Sequence, residues 1–275
     1  MTVRSTRHGS FAIRAAMTFA TALGIAMPTP AHETWILPAK GGMEQPGNAT
    51  LLVTSGISFP QPESAIDPKS VRRSGVCIGD QKCHELELFN VFGPALALRA
   101  NVDRPGSATA WLELSPHEIE LTQAQIEAYF DEIHADQALR DAWAAEQPMA
   151  WRERYVKFAK TVIRVGAPDP TDVGWSKPVG GALEIVPENN PTLLGPGDTL
   201  AVRVLKQGIP LPRLMVAMQV DGVRDWQRTD VDGRASFKLN GRGPWLIHGT
   251  ELLRTYGEGI EWESWFTTLT IAPNF

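Results

Sequence analysis

Between Trp35 and Ile271 the chain is written in short runs of β-branched and aromatic residues broken by Gly, Pro and Asn, and this alternation restricts the fold to antiparallel sheets. Trp35–Leu37, Ala49–Ser55, Gly75–Leu88 and Thr109–Leu114 are the first such runs. Short strands at that spacing describe a β-sandwich. The stretch 56–73 between them is rich in Pro and Ser, carries Glu63 and Asp67, and reads as a long surface loop.

The texture changes at Ser115. Thr122 and Gln125 have capping-box spacing, and Ile126, Tyr129, Phe130 and Ile133 recur at helical intervals, so an amphipathic helix is expected there. A second short helix is expected from Asp136, with Leu139 and Trp143 on one face. Trp151–Tyr155 reads equally well as helix or strand, whereas Lys160–Val165 has the β-branched content of a strand. Residues 167–177 form a linker by composition. Strands are then expected at Leu183–Val186, Thr199–Leu205, Leu214–Val220, Ala235–Leu239, Trp245–His248 and Glu261–Ile271, separated by turns that include Asp221-Gly222 and Asp230–Gly233. The expected fold is mainly β: an antiparallel β-sandwich over 32–176 with a helical insertion at 115–155, followed by a smaller immunoglobulin/prealbumin-like β-sandwich over 177–275.

Ahead of these runs stands a leader. Arg4, Arg7 and Arg14 precede an uncharged, largely apolar run, Ala15–Met27, which suits a secretory signal and is too short for a spanning helix. Thr29 and Ala31 supply small residues at a cleavage site, so residues 1–31 are expected to be a signal peptide. His32 becomes the first residue of a periplasmic protein without membrane insertion. Its removal lowers Lys+Arg from 26 to 23 against 31 Asp+Glu, so the net charge moves from −5 to −8 and nucleic acid is not an expected partner. Cys77 and Cys83 flank a Gly-Asp turn and are expected to form a disulfide in that oxidising compartment. A Cys/Cys/His site with His84 is the alternative.

A histidine at a free N-terminus offers its α-amine and Nδ1 to one ion, and copper(II) and nickel(II) favour such nitrogen donors. Further ligands would come from His84, His117, His134 or His248. His117 and His134 read as exposed polar residues, and His248 either as a core histidine or as the second ligand, with Glu251 able to supply a third position. The acidic turn Asp230-x-Asp232 reads as a chain reversal in preference to a calcium loop. The nine tryptophans lie mostly at expected core positions. No nucleophile elbow, zinc-protease helix, P-loop or dinucleotide fingerprint is present, so no enzyme class is indicated by motif.

Ordered pieces of the chain resemble a family of exported bacterial proteins that carry the domain of unknown function 4198. They are Ala31-His32-Glu33-x-Trp35-x-x-Pro38, Tyr155-x-x-x-Ala159-Lys160, and Leu183-Glu184-Ile185-Val186-Pro187-Glu188-x-x-Pro191. They continue with Gly197-Asp198-x-Leu200-x-Val202-Arg203-Val204-Leu205, Thr229-Asp230-x-Asp232-Gly233-Arg234 and Trp262-Glu263-Ser264. The resemblance implies a β-sandwich, a periplasmic address and transition-metal handling, as in nickel or cobalt uptake with a membrane metal transporter as partner; copper enters through the N-terminal chelate chemistry. The chain departs from the pattern after Trp245, where many relatives have a histidine and this one reads Thr250-Glu251-Leu252, with His248 earlier. Three functions stand as expectations: a transition-metal-binding accessory for uptake or delivery, a structural or carbohydrate-binding sandwich module, and a copper oxidase built on a histidine brace.

Overall fold

The computed structural model describes residues 32–79, 82–145, 151–255 and 259–273. The expected signal peptide, 1–31, lies outside them. In chain order the strands are β1 Glu33–Pro38, β2 Gly42–Met43, β3 Gly47–Gly56, β4 Ser64–Ala65, β5 Val71–Ile78, β6 Glu87–Phe92, β7 Ala95–Val102, β8 Gly106–Leu114 and β9 His117–Leu121. Helices α1 Gln123–Glu132 and α2 Gln137–Ala145 follow. The second half carries β10 Trp151–Val165, β11 Leu183–Pro187, β12 Thr199–Lys206, β13 Ile209–Pro210, β14 Met215–Val220, β15 Val223–Arg228, β16 Arg234–Lys238, β17 Trp245–Arg254 and β18 Trp262–Ile271. The protein is mainly β, as its turn-punctuated runs require. Among the described residues no helix is long and apolar enough to cross a membrane.

Three sheets form. The first has the order β1-β3-β7-β6, with β4 on β3. The second, of nine strands, has the order β15-β14-β17-β18-β10-β8-β5, with β2 and β9 on β10. The third has the order β11-β12-β13, with β16 on β12. The nine-strand sheet is shared by both halves of the chain, because β10 and β18 pair in parallel from Glu153↔Trp262 to Val162↔Ile271. A parallel pair needs a long crossover, and here the whole second half supplies it.

Strand β10 explains why one sheet serves two cores. Its residues Ala159, Ile163 and Val165 join a cluster with Ile36, Leu51, Leu96, Leu98 and Leu112 beneath the first sheet. On the opposite face, Val162 joins Ile185, Val202, Phe237, Trp245, Ile247 and Leu269 beneath the third sheet. Covered on both faces from Lys157 to Ile163, the strand loses there the polar alternation of a half-exposed one, whereas Trp151–Arg154 alternates buried and more exposed residues. Each large apolar side chain so buried contributes roughly 1.5–3 kcal/mol.

Within 115–155 the helices occupy only the middle, and both flanks are strands, Trp151–Tyr155 pairing with Leu121–His117. At the start of α1 the Thr122 amide and hydroxyl both donate to Gln125 Oε1 at 2.9 Å. Asp136 Oδ1 accepts from the Leu139 amide at 3.0 Å and caps α2. The apolar face Ile126, Tyr129, Phe130 and Ile133 then packs with Trp143 onto Trp151, Trp262 and Phe266 of the shared sheet. The expected disulfide is present between Cys77 and Cys83. Val76 and His84 exchange backbone hydrogen bonds of 2.7 and 2.9 Å beside it, and both sulfurs are thereby withdrawn from the alternative metal site.

Candidate functional site

Strand β1 lies across β10 and β18. Its first residues are therefore interior, and Glu33 is only 5% exposed. The Thr268 hydroxyl donates to the Thr34 carbonyl at 2.6 Å, and Trp35 packs edge-on against Phe59. At the start of the strand the buried ammonium of Lys157 donates to the His32 carbonyl. The chain's entry into the fold is thus pinned to the shared sheet by one hydroxyl, one ammonium and one indole.

Glu33 is opposite His248, which is 3% exposed on β17. His248 Nδ1 lies 2.8 Å from Glu33 Oε1, while Glu33 Oε2 and His248 Nε2 are buried with no hydrogen-bond partner among the described residues. His248 aligns with Thr268 on β18 and with Ala217 on β14, and Ala217 pairs in turn with Trp226 on β15. The Trp226 ring meets His248 edge-on at 5.6 Å, and His134 stacks on Trp226 at 3.9 Å. A row of three rings therefore runs from the surface histidine after α1 to the buried one.

Charge gathers around this row. Burial holds the Lys157 ammonium down at about 8, against the pull of Glu33, Glu132 and Glu153. Its nitrogen also lies over the rings of Tyr155 and Phe266, at 5.4 and 5.2 Å. Burial, and then the Glu33 carboxylate, push Glu132 up to about 7, with Arg224 and Lys157 opposing. Burial also raises Glu153, although Tyr129 donates to it at 3.0 Å, the Trp151 indole at 2.8 Å, and Ser264 as well. The His32 imidazole is lowered by burial and by Lys157, while Glu63 and Glu33 favour its charged form.

The structure gives His248 to Glu33, the neighbour of His32 in the chain. Glu251 is elsewhere. Three residues from His248 on a regular strand, it faces the other side of the sheet, where Lys206 Nζ lies 2.5 Å from its carboxylate and over the Trp265 ring. His84, His117 and His134 are exposed. Asp230 Oδ1 accepts the amides of Asp232 and Arg234 at 2.8 Å each, so the acidic turn closes on itself. Trp35, Trp151, Trp245 and Trp262 are fully buried. Among the described residues no three His, Cys, Asp or Glu side chains stand together as a metal-holding group.

Sequence reasoning passed over Glu33, Glu132, Glu153 and Lys157. A signal for two of them was available: Glu153 and Lys157 are four apart on one face of a strand whose neighbours are apolar. A charge at such a position is interior and requires a reason.

No curated protein sequence matches the chain. Among solved structures it is similar to the D0-D1 domain of Intimin, at 13% identity over 86% of this chain and 97% of that one, with a TM-score of 0.20. It is similar also to native alpha-2-macroglobulin from Escherichia coli spanning domains MG0-NIE-MG1, at 11% identity over 87% and 97%, with a TM-score of 0.23. Fibronectin(III)-like modules of Clostridium thermocellum CbhA align at 8% identity over 87% and 95%, with a TM-score of 0.19. Superpositions this loose carry no argument. The family described as Domain of unknown function (DUF4198) matches residues 29–250, most of the chain, and the protein belongs to that family.

Proposed function

We propose that the mature protein is a periplasmic accessory that binds one nickel(II), cobalt(II) or copper(II) ion at His32, after cleavage behind Ala31, and serves its uptake or delivery through a membrane transporter. The observation that carries this reading is the Glu33–His248 pair. A carboxylate that takes the proton-bearing Nδ1 leaves Nε2 as the lone-pair nitrogen, the arrangement in which an outer carboxylate orients a ligating histidine. Among the described residues that Nε2 is buried without a partner, as is Oε2 of Glu33, the residue next in the chain to the one whose amine and imidazole would close a chelate. The donor set is nitrogen-rich and suits these ions. Glu251, held by Lys206, is not part of it. When bound, the ion would supply Lewis acidity and would fix the chain start in place.

Calorimetric titration with nickel(II) or copper(II), in a buffer that binds neither, tests the reading. Protein beginning at His32 is expected to bind one ion. Adding one alanine ahead of His32 converts the amine to an amide and is expected to weaken binding at least tenfold, about 1.4 kcal/mol. His248→Ala is expected to weaken it less. Equal affinity of the authentic and extended forms sinks the proposal.

A further inference from the structure

Strand β17 is ten residues long, but β14 pairs with it only from Leu246 to Gly249. Continued in register, Met215 and the three residues before it would have lined Thr250–Leu253. It departs instead through a turn at Leu211–Leu214, where Arg213 adopts φ 66° after Pro212, a left-handed conformation that such turns normally give to glycine. The departure is fixed by Thr229. Its amide donates to the Leu214 carbonyl, its carbonyl accepts from Arg213, and its hydroxyl donates to the Leu211 carbonyl and accepts from the Leu214 amide, all at 2.8–2.9 Å. Among the described residues no strand pairs with this edge of β17 at Thr250–Leu253, and the helical insertion roofs it.

The space beside it is a cleft of about 450 Å³. Leu139, Ala142, Leu214, Met215 and Leu252 make it largely apolar, and Arg213 and Arg228 stand in its wall. Arg228 donates to the Arg213 carbonyl at 3.0 Å, and among the described residues neither guanidinium meets a carboxylate. Of the two carboxylates in the wall, Asp136 caps α2 and Glu251 is paired with Lys206. The uncompensated charge is therefore positive.

We propose that this cleft binds a short apolar peptide, extended along the open edge of β17 with its C-terminal carboxylate on Arg213 and Arg228. Each feature answers a part of such a ligand: the free strand edge its backbone, the apolar wall its side chains, the two guanidinia its terminus. A fatty carboxylate shares the last two parts and lacks the first. The site is separate from His32, and the proposal stands or falls independently of metal binding.

Calorimetry of the full mature chain with the acetylated tripeptide Ala-Val-Leu as its free acid tests this. The free acid is expected to bind, with the C-terminal amide and a backbone N-methylated form each at least tenfold weaker. Decanoate is expected to bind no more tightly than the N-methylated peptide. Arg213→Gln and Arg228→Gln are expected to lose tenfold or more, and Lys238→Ala, on an exposed face elsewhere, nothing. The three ligand comparisons use unaltered protein, so a variant that fails to fold leaves them decisive. Equal binding of acid and amide, no binding of the acid at millimolar concentration, or decanoate matching the peptide would each overturn the proposal.

Discussion

Two lysines three residues apart on β10 are both buried, on opposite faces of the same sheet, and they are treated in opposite ways. Lys160 is 1% exposed and donates to Glu184 at 2.7 Å. Glu184 also accepts the amides of Val179, Gly180 and Gly181 at 2.9–3.2 Å, so every polar group in that knot has a partner. Lys157 has one carbonyl, two aromatic faces and carboxylates that bond elsewhere. Beside it Glu33 and His248 each keep one buried atom unpartnered among the described residues. A satisfied buried pair is a fastening, here between β10 and β11. An incompletely satisfied one retains capacity to bind something further, and holding it in that condition costs stability.

The largest test of this contrast is Glu184→Ala, which strands Lys160 and three amides in an apolar core. A loss of about 3–5 kcal/mol is expected in urea unfolding. Glu33→Gln should cost less, about 1 kcal/mol, because the amide oxygen still accepts from His248 Nδ1. If the two losses were equal, the distinction between fastening and spare capacity would fail.

The smallest effect is a pH dependence. Glu132 holds its proton to about 7 in the folded state against an ordinary 4.5, through burial and Glu33 and despite Arg224 and Lys157. The native state therefore binds more protons than the unfolded one between these values, and stability should fall as pH rises through that window. Discounted for solvent screening at a partly exposed carboxyl, the fall is on the order of 1 kcal/mol. Glu132→Gln should flatten this part of the stability curve measured from pH 4 to 8. An unchanged slope would remove Glu132 from the buried group.

The strands were legible where turn residues isolate them, as at Asp221-Gly222 and Gly243-Pro244. The helix of Ile126, Tyr129, Phe130 and Ile133 was legible from its spacing. Strand β10 was legible at Lys160–Val165 but ambiguous at Trp151–Tyr155, where Arg152, Glu153 and Arg154 interrupt the run, and its parallel partner lies far along the chain. At the site, His32 and His248 were visible as residue types, whereas nothing in the sequence pairs Glu33 with a histidine 215 positions further along. Glu251 was a matter of parity. An odd separation from His248 on one strand puts the two on opposite faces, and counting by twos would have excluded the pair.

The parallel contact of β10 with β18 also governs when this protein can become itself. Thr161 bonds to the carbonyl of Thr270 across 109 residues of chain, so the sheet beneath the first half stays open-edged until the final strand arrives. A chain that emerges from its amino end must wait, with apolar faces uncovered, for its last segment. A copy cut short before Trp262 lacks β18 and leaves the facing edge of β10 with a row of unpaired backbone groups, open to pairing with another chain.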